Sequence, residues 1–241
     1  MADSLYIIIP AYNEQDNIRQ VVRDWYPVAE KCGDTSRLVI IDDGSKDDTY
    51  KILKELSADR PLLIPLTKEN SGHGATILFG YKYALEHGAD YVFQTDSDGQ
   101  TVPSEFAPFW GAKDKYDIII GYRNKRRDGL SRVFVTRVLR LVVHLCFKEF
   151  VLDPNTPYRL MSANKLKENL EYIPENFFLS NVALSAIYKK RKMRMHFIPI
   201  TFKARQGGVN SINIPKIIKI GIKSIREFIV INDKIEKGQT K

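Results

Sequence analysis

Apolar, β-branched and aromatic residues gather in short runs at Leu5–Ile9, Leu38–Ile41, Leu62–Leu66, Tyr91–Thr95 and Tyr116–Ile120. The runs lie roughly 25–30 residues apart, the spacing of βαβ units. Between the first two, Ile18, Val21, Val22, Trp25 and Val28-Ala29 recur at helical intervals. Asp47 or Asp48 is placed to cap a second helix carrying Ile52, Leu53 and Leu56, and a third runs from about Ala75 to Glu86 and stops at Gly88. The pattern predicts an α/β fold with a mostly parallel sheet covered by helices on both faces. Ligands are then expected beyond the carboxyl ends of the strands.

After Arg123 the pattern changes to a basic loop, a long helix near Leu130–Phe147, a loop at Asp153–Pro157, a helix near Asn181–Lys190 and an apolar run Met195–Phe202. These read as a second half built on the same sheet. Lys203–Asn213, with Gly207-Gly208, is linker-like. Beyond it, Ile214, Ile217-Ile218, Ile222, Ile225 and Phe228-Ile229 form one stripe and Lys216, Lys219, Lys223 and Arg226 another. The division expected is a domain over residues 1–213 and an amphipathic helix and tail over 214–241, the helix lying on an anionic membrane surface.

The 241 residues are 44% hydrophobic and 27% charged, which excludes disordered and fibrous architectures. No apolar run approaches the ~18–20 residues of a membrane span. The first run follows Asp3-Ser4 and ends at Pro10, without a basic lead or a cleavage site, which predicts a cytoplasmic chain, and the basic amphipathic helix places it peripherally at the membrane's cytoplasmic face. Two cysteines, Cys32 and Cys146, predict neither a disulfide framework nor a zinc site. A net charge of +8 favours an anionic partner. The basic region carries no nucleic-acid motif or base-stacking platform, so nucleic acid is not the partner expected. No feature sets an oligomeric state.

The candidate chemistry sits at predicted strand ends. The first loop reads Pro10-Ala11-Tyr12-Asn13-Glu14, and the second, Asp42-Asp43-Gly44-Ser45, sets adjacent carboxylates beside a glycine turn, an arrangement suited to the donors of a nucleobase and ribose. After the fourth run comes Asp96-Ser97-Asp98-Gly99-Gln100. Hard oxygens from Asp96, Asp98 and the Gln100 amide suit Mg²⁺ or Mn²⁺ bridging a diphosphate. His73 and His144 read as structural.

In order, spacing and strand position these loops resemble the family 2 glycosyltransferases of the GT-A fold, a three-layer sandwich that binds nucleotide-diphosphate sugars. Asn70-Ser71-Gly72-His73-Gly74-Ala75 looks like that family's glycine loop. The resemblance is nearest to the polyprenyl-phosphate glycosyltransferases of the dolichyl-phosphate mannose synthase kind, through Gln100, Arg123 and the loop at Asp153. It implies an inverting, metal-dependent hexosyl transfer from a nucleotide-diphosphate sugar to a polyprenyl phosphate. Pro10, Ala11, Tyr12, Glu14, Asp42, Asp43, Gly72, Asp96, Ser97 and Arg205 would bind the nucleotide. Asp96, Asp98 and Gln100 would hold the metal, and Arg123, Arg132 and Asp153 would serve catalysis. The chain departs from the family in having Pro157-Tyr158-Arg159 for Gly-Phe-Arg, and Ser180-Asn181 where an acidic residue is common. Two other readings stay open: transfer to a sugar hydroxyl in polysaccharide or lipid-linked glycan synthesis, with Asp153 as base, and a non-catalytic nucleotide-sugar-binding subunit.

Overall fold

A computed structural model describes residues 3–123, 130–203 and 214–239, with side chains for all of these except 130–136, 214–223 and 239. Seven strands form one sheet: β1 (Leu5–Ala11), β2 (Arg37–Asp42), β3 (Leu63–Thr67), β4 (Tyr91–Gln94), β5 (Ile118–Arg123), β6 (Arg159–Ser162) and β7 (Met195–Ile200). Their order is β3-β2-β1-β4-β6-β5-β7. The pairs β1·β2, β1·β4, β2·β3 and β5·β7 are parallel, and only β6 runs against its neighbours β4 and β5.

The sheet is buried on both faces, which is why β1 is an unbroken apolar run and not an alternating one. On one face Leu5, Ile7, Ile9, Leu38, Ile40 and Phe93 meet α1 (Ile18–Cys32), α2 (Thr49–Ser57) and α4 (Ala107–Gly111). Trp25 of α1 packs there on Phe93 and Tyr158, with ring centroids 5.3 and 6.0 Å apart. On the other face Ile8, Val39, Ile41, Val92 and Ile120 meet α3 (His73–Glu86), α5 (Leu130–Phe147), α6 (Ala163–Leu170), α7 (Ser180–Lys190) and α8 (Ile214–Gln239). The result is a three-layer sandwich, helices on both faces of the sheet.

The reversed strand β6 decides where the site can form. Because it starts at the edge where the parallel strands end, the segment leading into it reaches the same edge as the loops after β1, β2, β4 and β5. Sequence patterning leaves β6 out, along with α6 behind it: four residues beginning with an arginine make no strand signal of their own. Asp48 stands before α2 without a side-chain cap, and Asp47 makes the bonds instead, accepting from the Thr49 amide at 3.0 Å.

The stripe of α8 is assigned by the sequence to a surface helix. From Ser224 onward its inner side belongs to the protein: Phe228, Ile231 and Ile235 are fully buried in the core with Phe147 and Phe177. No helix among the described residues is long and apolar enough to cross a membrane.

Candidate active site

A cavity of about 350 Å³ opens at the carboxyl ends of β1, β2 and β4. Pro10, Ala11, Tyr12 and Glu14 line it from the end of β1, with Tyr12 half exposed at the rim and Glu14 buried. The β1 loop is laced to the β2 loop: the Asn13 amide donates to the Ser45 hydroxyl (2.9 Å), the Lys46 amide to Asn13 Oδ1 (2.9 Å) and the Glu14 amide to the Thr49 hydroxyl (2.8 Å). Asn13 takes a positive φ of 53° to make this turn.

The two carboxylates at the end of β2 have different duties. Asp43 lines the cavity and accepts the Ser71 amide on Oδ1 (3.0 Å) and the Gly72 amide on Oδ2 (2.9 Å), so it holds the glycine loop in place. Burial alone would raise its pKa, but the Lys68 ammonium beside it, the Ser71 amide and the Thr76 hydroxyl hold the carboxyl below the usual range. Asp42, expected at the nucleotide, turns elsewhere. It accepts the Ser45 amide (3.2 Å) within its own turn and the Thr67 hydroxyl (2.9 Å) from the end of β3, and is not among the cavity's lining residues.

Opposite stand Asn70, Gly72, His73 and Thr76 from the glycine loop and the start of α3, and Asp96, Ser97 and Asp98 after β4. His73, read from the sequence as structural, lines the cavity with its Nε2 2.9 Å from Asp96 Oδ1. Desolvation lowers the His73 pKa, but the Asp96 charge and hydrogen bond, with Asp98 and Asp43 beyond, outweigh it and leave it raised. Gly74 permits the close approach that closes this corner, since a Cβ there would come 2.2 Å from the Phe178 carbonyl oxygen.

Among the described residues no three His, Cys, Asp or Glu side chains converge into a ready cation cage. Asp96 and Asp98 therefore offer two hard oxygen donors, a set that fits a hexacoordinate divalent ion only with phosphate and water oxygens completing the shell. Gln100, expected as a third donor, is buried and outside the cavity lining. Its side-chain amide donates to the Lys203 carbonyl (2.7 Å) and its own carbonyl accepts the Lys203 amide (2.8 Å). Gln100 thus straps the segment leaving β7 across the top of the sheet.

Arg123 and Asp153 meet at the same edge. Arg123 Nε and Nη2 donate to Asp153 Oδ2 and Oδ1 at 3.0 and 3.1 Å, and the Phe202 ring lies 5.1 Å from the guanidinium carbon. Asp153 is 2% exposed and Arg123 is mostly buried, so the fork is set rigidly by its partner. Arg132 lies in α5 with its side chain outside the described residues, and Arg205 is outside them entirely.

Residues 6–188 match the family model of glycosyl transferase family 2. The chain belongs to that family. This glycosyltransferase is 29% identical over 221 residues to a UDP-N-acetylglucosamine–dolichyl-phosphate N-acetylglucosaminyltransferase of Methanococcus voltae, a match covering 83% of this chain and 86% of the relative. It is 25% identical over 218 residues to an undecaprenyl-phosphate 4-deoxy-4-formamido-L-arabinose transferase of Edwardsiella ictaluri, covering 89% of this chain and 64% of that longer one. Among solved structures it shares the fold of glucosyl-3-phosphoglycerate synthase from Mycobacterium tuberculosis, crystallised with Mn²⁺, uridine diphosphate and phosphoglyceric acid. That likeness has a TM-score of 0.70 at 19% identity and covers 95% of this chain and 78% of that one.

One residue of the transferase's frame, singled out in the sequence only within Pro157-Tyr158-Arg159, has a role that sequence reasoning does not assign. Arg159 is fully buried at the start of β6, paired in the sheet with Gln94 and Ile120. It donates to the carbonyls of Thr156 (2.8 Å), Asn181 (3.0 Å) and Pro154 (3.2 Å) and to the Ser185 hydroxyl (3.3 Å). It therefore pins the Asp153 loop to the start of α7. The available signal was an arginine flanked by the apolar residues Tyr158 and Leu160, with no acidic neighbour in sequence.

Proposed function

We propose that this transferase moves a hexose, with inversion, from a nucleotide-diphosphate sugar to the phosphate of a polyprenyl phosphate such as undecaprenyl or dolichyl phosphate. The observation that carries the reading is a cavity lined by carboxylates at the ends of β1, β2 and β4, with a preset arginine fork, Arg123 on Asp153, at the same edge. The names of both relatives, each a transferase to a polyprenyl phosphate, support the acceptor class. The crystallised neighbours, with Mn²⁺ and uridine diphosphate or its glucose ester, support the donor class and the ion.

In this reading the nucleoside lies between Tyr12 and Asp43, and the diphosphate faces Gly72, Ser97 and the start of α3. Mg²⁺ or Mn²⁺ held by Asp96 and Asp98 would neutralise the charge developing on the departing nucleotide diphosphate. Arg123 and Arg132 would orient the acceptor phosphate and Arg205 would reach the donor diphosphate. A phosphomonoester with a second pKa near ~6 is largely ionised at neutral pH and needs no base to attack the anomeric carbon. Asp153 has both oxygens on Arg123, which suits orienting that arginine better than removing a proton from a sugar hydroxyl.

Incubation with radiolabelled nucleotide sugars, Mn²⁺ and undecaprenyl or dolichyl phosphate is expected to move label into the organic phase. Asp98→Ala should abolish metal-assisted nucleotide binding while leaving the thermal transition in place. Arg123→Ala should slow transfer by about 100-fold or more, beyond any loss of donor affinity. Label found only on a sugar hydroxyl, with that activity lost in Asp153→Asn, would replace the reading by the base-catalysed one.

A further inference from the structure

Among the described residues eleven large apolar side chains stand exposed; three of them, Tyr12, Phe79 and Phe178, lie elsewhere, and the other eight lie on α5, the segment after it and α8. Val138, Leu141 and Leu145 occupy one stripe of α5 at helical spacing, with Leu141 56% and Leu145 69% exposed. Phe150, 62% exposed, and Leu152 follow the helix, and Ile225, Ile229 and Val230 form the outer stripe of α8. The two helices belong together: Phe147 of α5 and Phe228 of α8 meet in the core with ring centroids 5.7 Å apart, so the opposite stripes face outward side by side.

The segment after α5 is fixed in its outward pose. Arg140 donates from Nη2 to the Leu152 carbonyl, and its guanidinium carbon lies 5.9 Å from the Phe150 ring centre. Cations border the apolar stripes: Arg137 and Lys148 on and just beyond α5 and Arg226 on α8 are exposed, while the acidic Glu149 and Glu227 are half-buried and the exposed acids of α8, Asp233 and Glu236, follow Val230 toward the helix end. The same two helices carry Arg132 and Lys216, Lys219 and Lys223 in sequence. A single soluble chain has no use for so many outward leucines, isoleucines and aromatics in one region, whereas apolar stripes edged by Lys and Arg match the boundary between acyl chains and anionic headgroups.

We infer that the outer faces of α5 and α8, with Phe150 and Leu152, form the surface by which the transferase lies on an anionic lipid bilayer. The inference rests on the polyprenyl-phosphate reading for its purpose: α5 begins shortly after Arg123, so a lipid reached along this face meets the arginine fork. It also assigns the membrane contact to the outward stripes, since the inner stripe of α8 is taken by the core.

The test is co-sedimentation of the full chain with vesicles of phosphatidylcholine, alone and with phosphatidylglycerol, as wild type, as Leu141→Glu/Leu145→Glu and as Phe79→Glu. Wild type and Phe79→Glu should bind the anionic vesicles and release with salt, and the double variant should bind at least ~tenfold more weakly with its thermal transition unchanged. Activity separates this inference from the reading beneath it. With detergent-dispersed polyprenyl phosphate the double variant should match wild type, and with vesicle-embedded acceptor it should fall behind. Absence of vesicle binding by wild type, or equal binding by the double variant, overturns the surface assignment while leaving the acceptor intact. A dimer that dissociates in the double variant makes the face a self-association surface and also overturns it. Failure of every polyprenyl phosphate to accept label, with vesicle binding retained, instead removes the acceptor reading.

Discussion

Arg159 donates to three backbone carbonyls in a dry interior, and although the Ser185 hydroxyl also reaches those of Pro154 and Asn181, each carbonyl left without enough donors costs about 1–3 kcal/mol. Arg159→Met is therefore expected to destabilise the fold by about 2–4 kcal/mol in urea denaturation. Arg159→Lys should recover only part, because an ammonium cannot span carbonyls that a planar fork reaches together. A loss below about 1 kcal/mol for the methionine variant would mean that the loop before β6 holds itself. At His73 the expectation concerns protons. In the metal-free protein its ring should titrate above the ordinary 6.5 by NMR, and Asp96→Asn should bring it down. A raised folded pKa means that this pair's contribution to stability is full below the unfolded value and is lost as pH rises through the folded one. Sequence reading located these acidic loops correctly at strand ends. It could not tell Asp43 from Asp42, because side chains stop alternating between faces once the chain leaves the strand, and of the partners that draw Asp42 away, Ser45 in its own turn and Thr67 at the end of β3, the second is distant in sequence.

At the scale of elements, α3 lies against its neighbours at two glycines with different consequences. A Cβ at Gly74 meets the carbonyl oxygens of Phe177 and Phe178 at 2.4 and 2.2 Å, so backbone must move. At Gly80 it meets Ile8 Cγ2 at 2.4 Å and Ile41 Cδ1 at 2.9 Å, side-chain atoms of which the Ile41 end can turn aside while the Ile8 branch, fixed on Cβ, must change rotamer or shift. Gly74→Ala should cost about 2–3 kcal/mol and displace the segment before α7, and Gly80→Ala about 1–2 kcal/mol; thermal melts of both variants give the order. The parallel strands and most helices were legible because each carries its own period, of about two or about 3.6 residues. β6 was not, since its four residues become a strand only through pairing with β4 and β5, and no local pattern encodes a partner distant in sequence. Arg123 and Asp153 were each nominated from the sequence, but their bidentate pairing was not, for the same reason: it exists because β6 runs backwards.

Over the whole molecule, α8 divides cleanly between an inner and an outer side. Phe228→Ala should cost about 3–5 kcal/mol and Ile229→Ala under about 1 kcal/mol by chemical denaturation, although the residues are adjacent in sequence and both read as one stripe. Periodicity supplied the stripe but not its width, and the width decides which residues face protein. The burial of Phe228 against Phe147 and Phe177 also sets an order of events in time. Trp25 packs in the other layer, on Phe93 of β4 and Tyr158 just before β6, whereas the face covered by α8 stays open until a segment far along the chain returns to it. Closing so long a loop is slow relative to local pairing. During refolding of a Cys32→Ser variant, tryptophan fluorescence should recover first and protection of the half-buried Cys146 thiol later, with simultaneous recovery refuting the sequence of steps. In the cell the same interval leaves the apolar surface around Phe147 and Phe177 bare while synthesis continues, making it the part of the nascent transferase that a chaperone would meet.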